Sequence, residues 1–496
     1  MTGRSRTQVL DVTREDVAAA LTSRLGAGFR PAMVAGVEDD GSFRVVYVLV
    51  RPADDARVEL VLRTSGVRPT IPSLAAVSYP VGRFEREIRD LYGITPEGHP
   101  LPHRLIRHGH WPQGWYPMLR DADPTPRFDP DVGSFPFLEV EGEGVYEIPV
   151  GPVHAGLIEP GHFRFSVVGE TILRMKARLW FVHRGVEKLF EGRPPAAGIE
   201  LAERISGDTA VGHALAFAMA VEDAAGIAVT ERDRCVRALL LELERLHNHV
   251  ADIGALANDV GFGLANAHGQ RLRETLLRIN KATTGHRLLR GGITIGGARL
   301  VALPDVDAVA GVAREVAELA DLVLAGSTVR DRFTGTAVLG ANAALGVGAL
   351  GYVARASGID VDARRDHPFV DLGEHFAVVL EQDGDVLARF LVRVREAAVS
   401  AALVRDLAAR ANRSIATPYA PAVDGPGAGL GLVEGWRGTI AHRVELGADG
   451  TLRRVKVVDP SFFNWPALPL ALADTIVPDF PLANKSFNQS YAGNDL

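Results

Sequence analysis

The segment ERISGDTAVGH, Glu203 to His213, sets Ser206, Asp208 and Thr209 directly before the apolar run ALAFAMAVE. Small hydroxyls and a carboxylate at that place can cap a helix or hold a ligand, and on spacing alone the cap is the plainer reading. GPVHAGLIEPGHFRF (151–165) gathers His154, Glu159, His162 and Arg164 among turn formers. A carboxylate and two imidazoles this close can relay protons. In DPSFFNWPALPLA (459–471), Asp459 starts a turn, and Ser461 and Asn464 repeat the three-residue spacing of Ser206 and Thr209. Two further charged segments read as solvated, salt-bridged turns: HRGVEKLFEGR (183–193) with Glu187, and RASGIDVDARRDHPF (355–369) with Arg355, Ser357, Asp362 and Arg364.

Several chemistries are excluded. GPGAGLG (425–431) and GGITIGG (291–297) lack dinucleotide-loop spacing and a following P-loop lysine, so neither is a nucleotide motif, and the first reads as a flexible loop. His247 and His249 stand two apart on a predicted helix and face different sides, which argues against a shared metal. Cys235 is the only cysteine. One thiol cannot close an intrachain disulfide or hold an iron–sulfur cubane, a cysteine-rich zinc site or a thiolate-bridged metal pair. With 61 acidic against 54 basic side chains and a net charge of −7, nucleic acid is not an expected partner.

The elements that must position these residues fall into two blocks. Residues 1–120 read as a small α/β domain, with a helix over 14–25, strands over 43–51 and 58–63, and helical spacing from Ser73 to Ile94. Residues 121–145, rich in Pro, Asp and Gly, read as a linker. Residues 146–496 form the second block, which opens on short strands. Its centre predicts helices over 210–225, 231–253, 270–289, 306–325 and 385–408. A hairpin is expected over 436–445 and 451–458. The uncharged stretch 333–354 is rich in Gly and Ala and reads as a buried, interrupted segment rather than a membrane span. The fold class is α+β, a small α/β domain followed by a mainly helical domain with small peripheral sheets.

Together the motifs resemble a known family. FEREIRDLYGITPEGHP (84–100) resembles the signature of the C subunit of NADH-quinone oxidoreductase, respiratory complex I. GPVHAG with EPGHFRF, HRGVEKL, LELERLHNHVADIGALANDVGF (241–262), RASG and VEGWRG (433–438) resemble large subunits of energy-converting nickel–iron hydrogenases and the related complex I D subunit. A fused C-like plus D-like chain is similar to the large subunits of formate hydrogenlyase and hydrogenase-4 type complexes. In that family two C-x-x-C pairs bind nickel and iron. The resemblance sets the first pair on Ser206 and Thr209 and the second on Ser461 and Asn464, so all four thiolates are absent. Hydroxyls and an amide are poor donors for these soft metals.

The resemblance therefore implies a membrane-associated oxidoreductase subunit with a metal-free cavity lined by His154, Glu159, His162, Ser206, Asp208, Thr209, Arg437, Asp459, Ser461 and Asn464. Glu159, His162, Asp208 and His154 would handle protons, and Arg437 would hold an anionic or carbonyl group. Glu187 matches a position near a magnesium site. No cofactor is expected on this chain itself; quinone is a candidate ligand, and iron–sulfur clusters would sit on partners. Those partners would be a small iron–sulfur subunit, a ferredoxin-like iron–sulfur subunit and antiporter-like membrane subunits, with the chain peripheral on the cytoplasmic side of the plasma membrane. A quinone-site subunit and a non-catalytic coupling subunit are the alternatives.

Overall fold

The structure, a computed structural model, describes residues 7–129, 135–412, 423 and 425–496. The N-terminal part is a four-stranded sheet. Its edge strand Thr7–Val12 runs parallel to Ala56–Ser65, which pairs antiparallel with Ser42–Arg51, which pairs antiparallel with Arg30–Asp39. Val45 to Val50 are buried on both faces, so the strand reads as a continuous apolar run. Helix Tyr79–Tyr92 packs on Arg30–Asp39 and stops at Gly93, whose φ of 76° supplies the left-handed cap. Its Phe84 stacks on Phe462 at 4.4 Å, joining this part to the rest of the chain. Residues 98–144 carry no helix or strand among the described residues. Residues 130–134, within the expected linker, lie outside them.

The second part is built on helix Glu231–Asp259. Thr230 caps it by accepting from the Asp233 N–H at 3.1 Å. Helices Gly263–Thr284 and Val386–Asn412 pack along it, and Val306–Ala325 packs against Val386–Asn412. Helix Ala210–Ala225 lies under a three-stranded antiparallel sheet, Gly427–Gly435, Gly438–Leu446 and Leu452–Val458. The glycines of the first strand explain that contact. A Cβ on Gly427, Gly429 or Gly431 would come within 2.1, 2.2 or 1.9 Å of the carbonyls of Ala224, Ala220 and Ala216. From Gly427 onward the GPGAGLG segment is thus not a flexible loop. It is a strand whose side-chain-free face lets sheet and helix backbones touch.

The expected helices at 210–225 and 306–325 match in both bounds, and the hairpin is present. The 333–354 stretch is broken into Ala341–Val347 and Gly351–Ala356, and no helix among the described residues is long and apolar enough to cross a membrane. In the two segments read as solvated turns, Arg184, Arg193, Asp360 and Arg365 are exposed, whereas Glu187, Arg355, Asp362 and Arg364 are buried. Arg355 pairs with Glu396 at 2.7 Å and with Glu434 at 2.8 Å, and Arg364 pairs with Asp362 at 2.6 Å and Glu242 at 3.2 Å. Glu187 accepts from Arg454 at 2.7 Å, Lys456 at 3.0 Å and the Val457 N–H at 3.0 Å. Those cations hold its carboxyl below its ordinary range despite burial. Its carboxylate is thus engaged by an arginine, a lysine and a backbone N–H. Charge count alone does not say which charges find a buried partner.

Candidate functional site

The two-residue turn between strands Gly427–Gly435 and Gly438–Leu446 is Trp436-Arg437, flanked by the Gly435–Gly438 pair. Gly438 has φ 137°, and a Cβ on Gly351 would lie 2.0 Å from the Arg437 carbonyl. Only glycines let the tip press this close, so Arg437 is delivered on a fixed point. It reaches Asp208 with both terminal nitrogens, Nη1 to Oδ1 and Nη2 to Oδ2, each at 2.7 Å. Its Nε donates to the Asn488 carbonyl at 2.6 Å, and the guanidinium lies 4.0 Å over the Trp436 ring. Trp436 Nε1 in turn donates to the Asp208 carbonyl at 3.1 Å.

Ser206 and Thr209 complete the arrangement. Both hydroxyls donate to Asp208 Oδ1, at 2.9 and 3.0 Å. Neither caps the following helix. Glu244 does so from the neighbouring helix, accepting the N–H groups of Val211 at 2.7 Å and Gly212 at 2.9 Å. Ser206 Oγ also lies 2.8 Å from Ser490 Oγ. Ser206 thus meets Ser490, whose N–H in turn donates to the Ser461 hydroxyl at 2.9 Å.

Burial opposes ionisation of Asp208, but Arg437 and the two hydroxyls overcome it and hold the carboxyl well below the usual carboxylate range. These partners favour the ionised form of Asp208 and place it as an electrostatic anchor for Arg437. Arg437, with its donors committed to Asp208 and Asn488, is likewise an anchor rather than a free ligand-binding arm.

A cavity of about 680 Å³ opens beside this ion pair. His154, Glu159, Ser206, Asp208 and Arg437 line it. Val150, Ile158, Phe165 and Phe480 supply apolar wall, and the C-terminal segment contributes Asn484, Lys485 and Asn488 to Ala492. Glu159 accepts from the Ala492 N–H at 2.8 Å, and His154 Nε2 lies 3.3 Å from the Tyr491 hydroxyl. The other expected lining residues lie elsewhere. His162 points its Nδ1 at the Gly151 carbonyl, 3.2 Å away, and makes no hydrogen bond to His154 or Glu159. Thr209 is covered by Trp436. Asp459 accepts from the Ser461 N–H at 2.8 Å and lies 2.9 Å from His213 Nε2. The Ser461 hydroxyl accepts from the Ser490 N–H, and Asn464 bridges the N–H and carbonyl of Leu350. These last three brace the layer behind the wall. Among the described residues, no group of three or more His, Cys, Asp or Glu is placed to hold a metal.

Sequence reasoning missed the wall built from 484–492 and Asp259. Ser490 and Ser206 are 284 positions apart, and nothing local marks the pair.

Comparison with known proteins gives three family matches in order along the chain. Residues 10–127 match the 30 kDa subunit of respiratory-chain NADH dehydrogenase, 184–257 match nickel-dependent hydrogenase, and 259–423 match the 49 kDa subunit of respiratory-chain NADH dehydrogenase. Formate hydrogenlyase subunit 5 of Escherichia coli (strain K12) is 32% identical over 92% of this chain and 82% of its own length. The C/D-type subunit of NADH-quinone oxidoreductase from Phocaeicola vulgatus is 30% identical over 69% of this chain and 70% of its own. Among solved structures, a chain of the membrane-bound sulfane sulfur reductase, described as an archaeal respiratory membrane complex, superposes with a TM-score of 0.66 at 25% identity, covering 71% of this chain and 99% of that one.

The nickel-dependent hydrogenase match implies a metal whose fit these residues can test. The side chains meeting at this place are hydroxyls and a carboxylate already bonded to one another and to Arg437. A Cβ on Gly493 would come within 2.6 Å of the Asp459 carboxylate, so no side chain enters there without displacing it. Soft metal ions in such sites take thiolates, and Cys235 is buried on helix Glu231–Asp259, bonded to Glu231. The residues do not fit a thiolate-bound nickel–iron pair. The chain belongs to the family of hydrogenase and complex I large subunits in which a 30 kDa-like domain is fused to a 49 kDa-like one, as in formate hydrogenlyase subunit 5 and the C/D-type subunits.

Proposed function

We propose that this chain is the large subunit of a membrane-associated, complex I-like oxidoreductase in which a metal-free polar cavity stands in place of the nickel–iron centre. The observation that carries this reading is the closed set Ser206, Asp208, Thr209, Arg437 and Ser490, whose polar atoms satisfy one another. Electrons would arrive from iron–sulfur clusters on partner subunits, a small iron–sulfur protein and a ferredoxin-like one, and antiporter-like membrane subunits would anchor the assembly on the cytoplasmic face. Proton handling at the cavity falls to Glu159 and His154, which line it and are hydrogen-bonded to the Ala492 N–H and the Tyr491 hydroxyl.

Quinone is the ligand this reading favours. The cavity lies within the size range of small-molecule sites, has apolar side chains on one wall, and presents Tyr491 and His154 as a hydrogen-bonding pair. Two measurements test the proposal on the purified complex. Elemental analysis is expected to find no nickel in stoichiometric amount, and stoichiometric nickel overturns the metal-free reading. Glu159→Gln is expected to lower quinone-dependent electron flow while assembly is kept. Unchanged flow in that variant favours a coupling subunit with no chemistry of its own.

A further inference from the structure

A second concavity of about 500 Å³ lies where helix Tyr79–Tyr92 meets strand Thr171–Arg178 and the segment 465–473. Arg83, Arg86, Arg174 and Arg178 line it, with Trp180 and Trp465. Among the described residues the guanidinium partners are backbone carbonyls, not carboxylates. Arg83 donates to Phe462, Arg86 to His103 and Arg104, and Arg178 to Leu105 and Arg107. The nearby Asp90 accepts with Oδ2 from the N–H groups of Leu105, Ile106 and Arg107 and acts on Arg86 and Arg178 only from beyond ion-pair distance.

This is costly. Arg83 and Arg178 are 7% and 4% exposed, and the buried Nε of Arg178 has no partner. A buried cation without a counter-charge is destabilising, and burial lowers both guanidinium groups to about 10. Arg437, Arg443 and Arg454, which are buried with carboxylate partners, shift the other way, whereas Arg389, buried on backbone carbonyls and the Ser486 hydroxyl and closed off by them, shifts down as well. In a chain of net charge −7, four arginines converge here with no carboxylate in ion-pair contact among the described residues, which marks a place able to take negative charge from outside.

The chemistry of that charge follows from the walls. Guanidinium forks match the oxygens of a phosphoryl group bidentately. Trp465, Pro466, Pro469 and Leu470 make the opposite wall apolar, and Leu470 and Leu173 at the pocket are exposed. We infer that this cavity binds a phosphoryl oxyanion carried on an apolar body, held by Arg83, Arg86, Arg174 and Arg178. An anionic phospholipid and a soluble aromatic phosphate share that chemistry.

The full chain is tested with two probes: sedimentation with phosphatidylcholine vesicles containing or lacking phosphatidylglycerol, and calorimetric titration with phenyl phosphate. Arg174 is exposed, so Arg174→Glu leaves packing intact; Arg86→Gln is the second variant, and Arg68→Glu, an exposed site outside the pocket, controls for net charge. Binding of at least one probe is expected, weakened about tenfold or more by either pocket variant, a loss of about 1.4 kcal/mol, and unchanged by Arg68→Glu. Binding to phosphatidylglycerol vesicles alone identifies a lipid, and binding of phenyl phosphate identifies a soluble source. The proposal is overturned if neither probe binds, if the pocket variants bind as the parent does, or if a Glu-rich peptide binds the pocket and the phosphates do not.

Discussion

Asp208 and Arg437 can be separated by a double-mutant cycle, with Asp208→Asn, Arg437→Gln and the two combined. Their contact is a fork of two parallel bonds of 2.7 Å, with the Arg437 side chain 4% exposed and that of Asp208 38% exposed. Removing one partner of a fully buried pair costs about 3–5 kcal/mol. Water in the cavity reaches the outer edge of Asp208 and screens part of that. Each single variant is therefore expected to lose about 2–3 kcal/mol, and the double variant to lose about 2 kcal/mol less than the sum of the singles. Urea unfolding at pH 7 measures this, provided the spectroscopic probes give coincident transitions. Because Asp208 is held below its ordinary range, the contribution is fully present above the unfolded-state value of 3.8 and is lost only as pH falls through the folded value. The cycle should give the same coupling at pH 6 and pH 8. A coupling under about 0.5 kcal/mol, or one that changes between those two pH values, would refute the view of this pair as a permanently ionised anchor.

Other expectations follow from the same geometry. Burial, with the charge of Asp208 adding to it, pushes the Glu244 carboxyl up to about 8. The folded chain then holds a proton that the unfolded chain releases near 4.5, so stability should decline as pH rises from about 4.5 to about 8 and level off above. Infrared spectroscopy at pH 7 should show a protonated-carboxyl band that Glu244→Gln removes, and no difference between the two proteins would count against this assignment. Gly431→Ala drives a methyl into the Ala216 carbonyl and should cost at least about 3 kcal/mol, whereas Gly207→Ala, with nothing within 4 Å, should stay within about 0.5 kcal/mol. Glu187→Gln removes the carboxylate partner of Arg454 and leaves Lys456 with Glu87 alone, and should lower the thermal midpoint, while chelator treatment of the parent should leave that midpoint where it was.

The readable and unreadable parts of this chain divide along a physical line. Helices 210–225 and 306–325 were visible because their apolar residues recur with helical period and their ends carry Thr209 and Asp305. The hairpin was visible because ADG breaks two apolar runs. Strand Gly427–Gly435 was not, since glycines read as loop until the helix backbone they touch is known. The site divides in the same way. His154, Glu159, Ser206, Asp208 and Arg437 came from local motifs and do meet at one cavity. Ser490, Tyr491 and Asn488 belong to a wall supplied by a distant segment, and Ser461 stands one hydrogen bond behind it, on the Ser490 N–H. The buried networks of Arg355 and Glu187 were misread for a related reason: pairing is a property of three dimensions.

The glycine stripe at 427, 429 and 431 has a mechanical side. With backbone laid directly on backbone, the sheet and helix Ala210–Ala225 are welded along their length. Asp208 sits just ahead of one end of that weld and Arg437 at the tip of the other member. The pair thus spans a stiff bracket and acts as a fixed jaw. The facing jaw, 484–492, meets it through the Asn488 carbonyl and the Ser490 hydroxyl. Any guest that reshapes the cavity must do so by shifting that second jaw, so the hydrogen-exchange rate of its amides, rather than those of the sheet, is where occupancy would register.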